Sequence, residues 1–192
     1  MLEVDPSLLE QRRRLGLDRW DEMWEEVLHM SPAPGNEHQR IVSELLFFLM
    51  GVLRGNARGT IRIQINVFDE SSPVENYRIP DLTFVAAGRE SLLAEDGVRG
   101  GGPDAVIEIR SPGDESYDKL PFFAKLGVRE VIVIDRDTKR VEVFALGGGS
   151  YAARAVDGDG TVVSEGLGVR FATQGGRLVL GDVSNLDTHA EI

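Results

Sequence analysis

Two acidic residues lie in apolar segments typical of buried strands, where a charged side chain needs a partner. Asp81 opens the largely apolar run Leu82–Val85, and Glu108 interrupts a second apolar run. A carboxylate buried in a sheet is strongly destabilising unless an ion pair or a metal ion neutralises it. Two carboxylates that meet at strand ends are typical of a divalent-metal site, and Lys119 follows close behind. These residues therefore predict metal-dependent chemistry.

The strand that carries Glu108 determines which groups lie beside it. Side chains alternate along a strand, so Val106, Glu108 and Arg110 share one face. Asp81 lies 27 residues earlier, a spacing that allows two neighbouring strands joined by a loop. With the backbone carbonyl of Ile109, the two carboxylates supply three oxygen ligands for Mg²⁺ or Mn²⁺, and water would complete the coordination. A nearby cation would position the attacking water or stabilise negative charge on a phosphate.

The N-terminal part of the chain begins with a predicted helix. Asp5-Pro6-Ser7 can start this helix, which runs from about Leu8 to Leu15 and ends at Gly16. The segment from Asp18 to Met30 fits either a helix or an alternating strand, and both readings stay open.

A second helix is predicted after the loop Ser31–Gly35. Asn36 and Gln39 resemble a capping box, and an apolar stripe at helical spacing continues towards Gly55. The stripe comprises Ile41, Leu45, Phe48, Leu49 and Val52.

The rest of the chain alternates strands with one short helix. The predicted elements are a half-exposed strand at Thr60–Phe68, a strand at Asp81–Ala86, the strand carrying Glu108, a helix from Glu115 or Ser116 to Leu126, a central strand at Val131–Asp135 and its hairpin partner at Arg140–Leu146. This order predicts an α/β or α+β fold with helices flanking a mixed central sheet. We expect a single domain, 1–192, with an N-terminal helical segment (1–19), a core (20–146) and a β-rich C-terminal extension (147–192).

Composition excludes several classes of protein. The net charge of −11 argues against a protein that coats nucleic acid by bulk electrostatics. The absence of cysteine excludes disulfides and thiolate metal sites. No apolar run approaches the roughly 20 residues needed to cross a bilayer, and the acidic start, residues 1–6, lacks a signal-peptide pattern. We therefore expect a cytoplasmic protein without a membrane partner. The sequence contains neither a Gly-x-x-x-x-Gly-Lys-[Ser/Thr] phosphate loop nor a Gly-x-Ser-x-Gly nucleophile elbow.

Several linked motifs resemble the Uma2 family, a domain family grouped with restriction endonucleases in the PD-(D/E)XK nuclease superfamily. They are Ile79-Pro80-Asp81, the segment from Val106 to Ser116, Lys119-Leu120-Pro121-Phe122-Phe123 and the segment from Leu126 to Asp135. The similarity runs from about Trp20 to Leu146. It implies a restriction-endonuclease-like fold, metal-dependent hydrolysis of DNA phosphodiester bonds and a Mg²⁺ or Mn²⁺ cofactor.

The resemblance also implies roles for individual residues. Asp81 and Glu108 match the metal-binding acids, and Lys119 matches a lysine on the helix after the second motif. Glu22 matches an acidic residue that completes the site. Arg110 stands where the superfamily has a lysine, two residues after the second acid. Because arginine keeps its proton in proteins, Arg110 would clamp a phosphate rather than act as a base.

Other residues give weaker indications. His38, in the first turn of the second predicted helix, is expected to pack or hydrogen bond. His29 and His189 have no partner at metal-ligand spacing. The basic run Arg12-Arg13-Arg14 is expected to form a solvated helix face. Glu26 stands where Uma2 relatives more often have glycine.

Alternative interpretations of the same residues stay open. Glu108 can form a structural ion pair with Arg110 or Arg78. Instead of an endonuclease, the chain can be a catalytically inactive nuclease-fold module with a binding or regulatory role. A homodimer is compatible with the strand edges and the Gly-rich C-terminal part. RNA or another phosphoester is a third substrate class.

Overall fold

The computed structural model describes residues 5–192 of the chain. Met1–Val4 lie outside this range, and with them most of the segment that led us to expect no signal peptide. The described residues form three α-helices, Pro6–Leu15 (α1), Asn36–Gly55 (α2) and Leu120–Lys125 (α3), and two 3-10 turns, Asp18–Trp20 and Glu90–Leu92. Within residues 5–192, no helix is long and apolar enough to cross a membrane.

Helix α1 begins and ends at its sequence signals, whereas α2 does not begin as predicted. Asp5 caps α1 by accepting a hydrogen bond from the Ser7 N–H at 2.9 Å, and Gly16 ends it in the left-handed conformation that suits glycine. The apolar stripe of α2 is buried, as predicted. The capping-box prediction is wrong, because Asn36 is already helical and Gly35 is the N-cap residue, without a side-chain cap.

The central sheet has six strands, in the order β12-β11-β10-β9-β6-β3. They are Gly59–Ile63 (β3), Leu82–Ala86 (β6), Ala105–Arg110 (β9), Glu130–Asp135 (β10), Val141–Gly147 (β11) and Ser150–Ala153 (β12). Strands β9 and β10 are parallel and the other neighbours are antiparallel, so the predicted mixed sheet is confirmed. α2 packs on the face that includes Ile107 and Ile109, whereas Val106 packs with the α3 side.

A second sheet covers the α3 side and has the strand order β2-β1-β5-β4-β8-β7. Its strands are Glu22–Trp24 (β1), Val27–His29 (β2), Asn66–Phe68 (β4), Tyr77–Arg78 (β5), Leu93–Ala94 (β7) and Gly97–Val98 (β8). The segment that the sequence left open is therefore a β-hairpin. Its turn residues Glu25 and Glu26 both have positive φ, 51° and 70°. A positive φ at Glu26 explains physically why glycine would suit this position.

The alternating segment 60–68 does not form one strand. It divides into β3 and β4, which belong to different sheets. Gln64, between them, has φ of 47°, and this left-handed residue turns the chain from one sheet to the other. The turn contains no glycine or asparagine. The alternation of apolar and polar residues therefore runs through it, and the sequence shows no break.

The helix after the second acidic motif is also shorter than predicted. Residues 116–119 form turns, and α3 starts only at Leu120. The side chain of Asp114 accepts hydrogen bonds from the backbone N–H of Ser116 (3.1 Å) and from its hydroxyl (2.8 Å). Such local bonds compete with helical ones at a helix start.

The C-terminal part forms a third sheet in the order β13-β14-β15-β16. Its strands are Thr161–Ser164 (β13), Val169–Gln174 (β14), Arg177–Asp182 (β15) and His189–Glu191 (β16). Their apolar residues join the same core as α2 and the central sheet. The result is a mixed α+β fold with three sheets and few helices, and the division at residues 19 and 146 stays a prediction.

Glu130 links the central sheet to the third sheet. It is buried, and its carboxylate accepts hydrogen bonds from Arg154 (3.0 Å), from the Ser164 hydroxyl and from the backbone N–H groups of Glu165 and Gly166 (3.1 Å each). This carboxylate stabilises the contact between the two sheets, because its loss would remove an acceptor that four donors share.

We predict that Glu130→Ala lowers the free energy of unfolding by about 3 kcal/mol, since Arg154 and several buried donors lose their acceptor. Urea unfolding measures the change. Glu165→Ala is the matched control, because Glu165 bonds the same Arg154 from a position that is 73% exposed. It should change stability by less than about 0.5 kcal/mol. An equal loss of unfolding free energy in the two variants would contradict the role of Glu130 in holding the two sheets together.

Candidate functional site

The site begins where strand β6 stops pairing with β9. Leu82 pairs with Ile107, and β9 continues past this point. The Asp81 carboxylate takes the place of the missing strand partner, because its Oδ2 accepts a hydrogen bond from the Ile109 N–H at 2.7 Å. The N–H and C=O groups of one strand residue point to the same edge, so the Ile109 carbonyl also faces the side of Asp81.

His38 approaches the same carboxylate from the first turn of α2. Its Nε2 lies 3.2 Å from Asp81 Oδ2. Its Nδ1 is buried without a hydrogen-bond partner among residues 5–192. The structure therefore brings His38 into the site, although the sequence predicted only a packing or hydrogen-bonding role.

Lys119 joins the two other acidic residues. Its Nζ lies 2.8 Å from Glu22 Oε1 and 3.2 Å from Glu108 Oε1. Glu22 is itself fixed from two sides, because it accepts hydrogen bonds from the Ile79 N–H and the Trp24 indole N–H, both at 2.8 Å. Glu108 pairs with Lys119, rather than with Arg110 or Arg78.

The charge balance of this cluster is acidic. One ammonium, on Lys119, faces the three carboxylates of Glu22, Asp81 and Glu108, and all three are buried. Burial raises the pKa of Glu108 from its ordinary 4.5 to about 8; the attraction of Lys119 opposes the rise, and repulsion from Asp81 and Glu22 adds to it. Burial alone would lower the pKa of Lys119, but its carboxylate neighbours outweigh this and raise it, so the ammonium stays charged.

Arg110 lies outside this cluster. Its guanidinium pairs with Asp135 at 3.0 Å and lies 5.3 Å from the ring centroid of Tyr117. Arg78 is buried and binds backbone carbonyls, including that of Met23 at 2.9 Å. Burial lowers the pKa of Arg78 to about 10. The structure thus places Lys119, and not Arg110, against Glu108.

The cluster forms the floor of an open cleft with a volume of about 690 Å³. The hairpin β1–β2, the loop before α2 and the turn segment 111–119 form its walls. At the mouth, His29 Nδ1 contacts Glu115 Oε2 at 2.8 Å. A ligand that enters the cleft therefore meets the acidic cluster.

The donors at the floor suit a hard divalent cation with few protein ligands. Asp81 and Glu108 provide carboxylates next to the Ile109 carbonyl, and Mg²⁺ typically uses one or two carboxylates with several waters. In the part of the chain that the structure describes, no group of three Asp, Glu, His or Cys residues is arranged to hold a metal ion. Two carboxylates and one carbonyl are oxygen donors of the type that Mg²⁺ binds, and an ion held there would need water for its remaining ligands.

Sequence reasoning missed two residues of the cleft wall, Trp20 and Gln64. The Trp20 indole N–H donates to Gln64 Oε1 at 3.4 Å. These residues are 44 positions apart, and nothing in the local sequence connects them. The break at Gln64, which places its side chain here, has no sequence signal.

Comparisons with known proteins identify the family and the fold of the chain. The model of the Uma2 family, described as "Putative restriction endonuclease", matches residues 10–174, so the chain belongs to this family. The crystal structure of a putative nuclease belonging to DUF820 from Anabaena variabilis ATCC 29413 has the same fold, with a TM-score of 0.61. That likeness covers 77% of this chain and 82% of the other at 18% identity. No curated protein sequence matches the chain.

The raised pKa of Glu108 predicts a specific dependence of stability on pH. The folded chain takes up a proton at Glu108, so this contribution is complete below pH 4.5 and is lost as the pH rises through about 8. The change is at most about 1.4 kcal/mol per pH unit. Glu108→Gln cannot ionise and should gain stability relative to the wild type over this range.

Urea unfolding from about pH 5 to about pH 9 measures the difference between the two proteins. Glu44→Gln, on an exposed stretch of α2, serves as the control and should follow the wild-type profile. Parallel profiles for wild type and Glu108→Gln would show that Glu108 titrates at its ordinary pKa.

Proposed function

We propose that this member of the Uma2 family is a Mg²⁺- or Mn²⁺-dependent endonuclease that hydrolyses DNA phosphodiester bonds. The proposal includes a restriction-endonuclease-like core of the PD-(D/E)XK type. The observation that carries it is the convergence of Asp81, Glu108, Glu22 and Lys119 at the floor of one cleft. The family description points to a nucleic-acid substrate, and DNA is the narrower proposal.

Asp81, Glu108 and the Ile109 carbonyl would hold the metal ion. When bound, a divalent ion lowers the pKa of a coordinated water and neutralises charge on a phosphoryl oxygen. The Ile109 N–H orients the Asp81 carboxylate, since it donates at 2.7 Å. Proton loss from Glu108, whose pKa is about 8, would make its carboxylate available as a ligand.

Lys119 stabilises negative charge in this proposal and does not remove a proton. Its neighbours raise its pKa, so it remains an ammonium at neutral pH. Glu22 positions it, because Glu22 Oε1 accepts its hydrogen bond while the Ile79 N–H fixes the same carboxylate oxygen. A fixed cation beside the scissile phosphate stabilises the charge that develops in the transition state.

One observation favours a second candidate, a catalytically inactive nuclease-fold module that binds or regulates. Lys119 already neutralises part of the charge of Glu22 and Glu108, so the cluster is held together by an internal ion pair. In that role Arg110, paired with Asp135, would be structural. A homodimer stays a prediction for either function.

We expect Asp81→Asn and Glu108→Gln each to slow Mg²⁺-dependent DNA cleavage by at least about a hundredfold, because each removes a carboxylate ligand. Purified protein is assayed on plasmid DNA, single-stranded DNA and RNA. Glu44→Gln, which removes a carboxylate from α2 outside the cleft, should retain wild-type rates. Equal rates for wild type and both site variants would refute the site. Saturable Mn²⁺ binding without any cleavage would favour the inactive module.

Lys119→Met separates charge stabilisation from metal binding. We expect cleavage to fall by about a hundredfold or more, as for other lost transition-state stabilisers. Titration calorimetry should show that Mn²⁺ binds at least as tightly as in the wild type, because Glu108 loses a competing cation. Lys125→Met is the control, since Lys125 pairs with Asp69 instead. Loss of Mn²⁺ binding in a folded Lys119→Met protein would mean that Lys119 is needed to assemble the site.

A further inference from the structure

Trp20 lies between the acidic cleft and a second depression of about 470 Å³. Arg19, Ala33, Pro34, Gln39 and Gln64 line this depression together with Trp20. Trp20, Ala33, Pro34 and Gln64 line both the cleft and the depression, so an extended ligand that runs from the acidic floor into the depression passes along these four residues. The following inference rests on the proposed nuclease function and concerns the form of DNA that this cleft accepts.

The ring of Trp20 is held in place, and it has one stacking partner where the ring of Trp24 has two. The guanidinium of Arg19 lies 3.9 Å from the ring centroid, and the indole N–H donates to Gln64. Trp24 provides the contrast, because His29 stacks on its ring at 4.0 Å and Arg78 lies 4.0 Å from its centroid. Among residues 5–192, no second ring or cation stacks on Trp20, which stays partly exposed.

Gln64 connects Trp20 to the acidic floor. It has φ of 47°, a conformation that is unfavourable for a residue with a side chain. Its backbone N–H donates to the carbonyl of Asp81 at 3.1 Å, which holds it there. The Nε2 of its amide makes no hydrogen bond within residues 5–192, so a donor remains available beside the ring. Backbone strain of this kind persists where the surroundings fix it and is common at functional sites.

The distribution of charge favours a strand over a duplex. Duplex binding relies on many Lys and Arg contacts to phosphates, and this chain has a net charge of −11. Among the residues that line the depression, Arg19 is the only cation. Arg13 and Arg14 are exposed on α1. Helix α1 is anchored beside the cleft by Arg12, which pairs with Asp21 and donates to the Ser31 carbonyl at 3.0 Å. The expectation that Arg12 lies on a solvated helix face is therefore wrong.

We infer that Trp20, with Gln64, is a stacking platform for an unpaired DNA base next to the acidic cluster. The substrate is then single-stranded DNA, or DNA that is unpaired at the site of cleavage. A base in a duplex is already stacked on both faces and would not reach the ring, whereas an unpaired base of any sequence stacks on an aromatic side chain. The Gln64 amide donates to the edge or the phosphate of that nucleotide.

Binding measurements test this independently of cleavage. Fluorescence anisotropy of labelled oligo-dT and of a hairpin duplex of equal length is recorded with Ca²⁺ in place of Mg²⁺, and the oligonucleotides are checked for integrity afterwards. We expect oligo-dT to bind at least about tenfold more tightly than the duplex. Trp20→Ala should weaken oligo-dT binding by about fivefold to a hundredfold, the usual range for a lost stacking partner. Phe47→Ala is the matched control, because Phe47 is an 83% exposed aromatic residue on α2 outside the cleft.

Intrinsic fluorescence gives a second test that does not depend on the alanine variant folding. The chain has two tryptophans, and the ring of Trp24 is covered. Oligo-dT should quench the wild-type emission, whereas Trp20→Phe should bind oligo-dT within about threefold of wild type and show no quenching. Equal quenching in wild type and Trp20→Phe, or equal affinity for oligo-dT and duplex, would overturn the inference.

The substrate panel distinguishes this inference from the proposed function. Tighter binding of oligo-rU than of oligo-dT would overturn the assignment to DNA. A chain that binds oligo-dT through Trp20 without cleaving it would keep the stacking platform and refute the hydrolysis. Metal-dependent cleavage with unchanged oligo-dT binding in a folded Trp20→Ala protein would keep the hydrolysis and refute the stacking platform.

Discussion

The arrangement of the cleft depends on the balance between one buried ammonium and three buried carboxylates. Lys119 binds Glu22 of the second sheet and Glu108 of the central sheet, so a single ion-paired cluster joins these two sheets to the turn before α3. The cluster is still short of positive charge, and the raised pKa of Glu108 follows from that deficit and from burial. A site of this kind has an electrostatic reason to accept either a proton or a cation, which is the property that a metal-dependent hydrolase requires.

The second constraint is the early end of strand β6. If β6 paired with β9 two residues further, as far as Pro80 opposite Ile109, a backbone carbonyl would occupy the place of the Asp81 carboxylate at the Ile109 N–H. The sheet edge therefore opens where the chemistry is proposed to occur. Gln64, whose N–H donates to the Asp81 carbonyl, has a left-handed conformation that turns the chain from the central sheet into the second sheet. The backbone between β3 and β6 at Gln64 and Asp81 thus determines three features together: the opening of the sheet, the wall of the cleft and the position of Trp20.

Some of the site could be predicted from the sequence because its signals are local. A charge that interrupts an apolar strand must have a partner, so Asp81 and Glu108 stand out without a structure. Strand alternation correctly separated Val106 and Glu108 from the face of Ile107. The same logic failed at residues 60–68, since alternation cannot show that Gln64 adopts a positive φ. The sequence also predicted a start for the last helix that is too early, because Asp114 forms a turn with Ser116.

The sequence by itself determined the main helices, most of the central strands and the two carboxylates, since hydrophobic periodicity and buried charge are properties of short segments. Only the tertiary structure decided which cation meets which carboxylate. Lys119 is 97 positions from Glu22 and 11 from Glu108, while Arg110, two positions from Glu108, turns to Asp135. Pairing of this kind depends on the register of strands and the placement of turns, because a long flexible side chain binds whichever opposite charge the fold brings within reach.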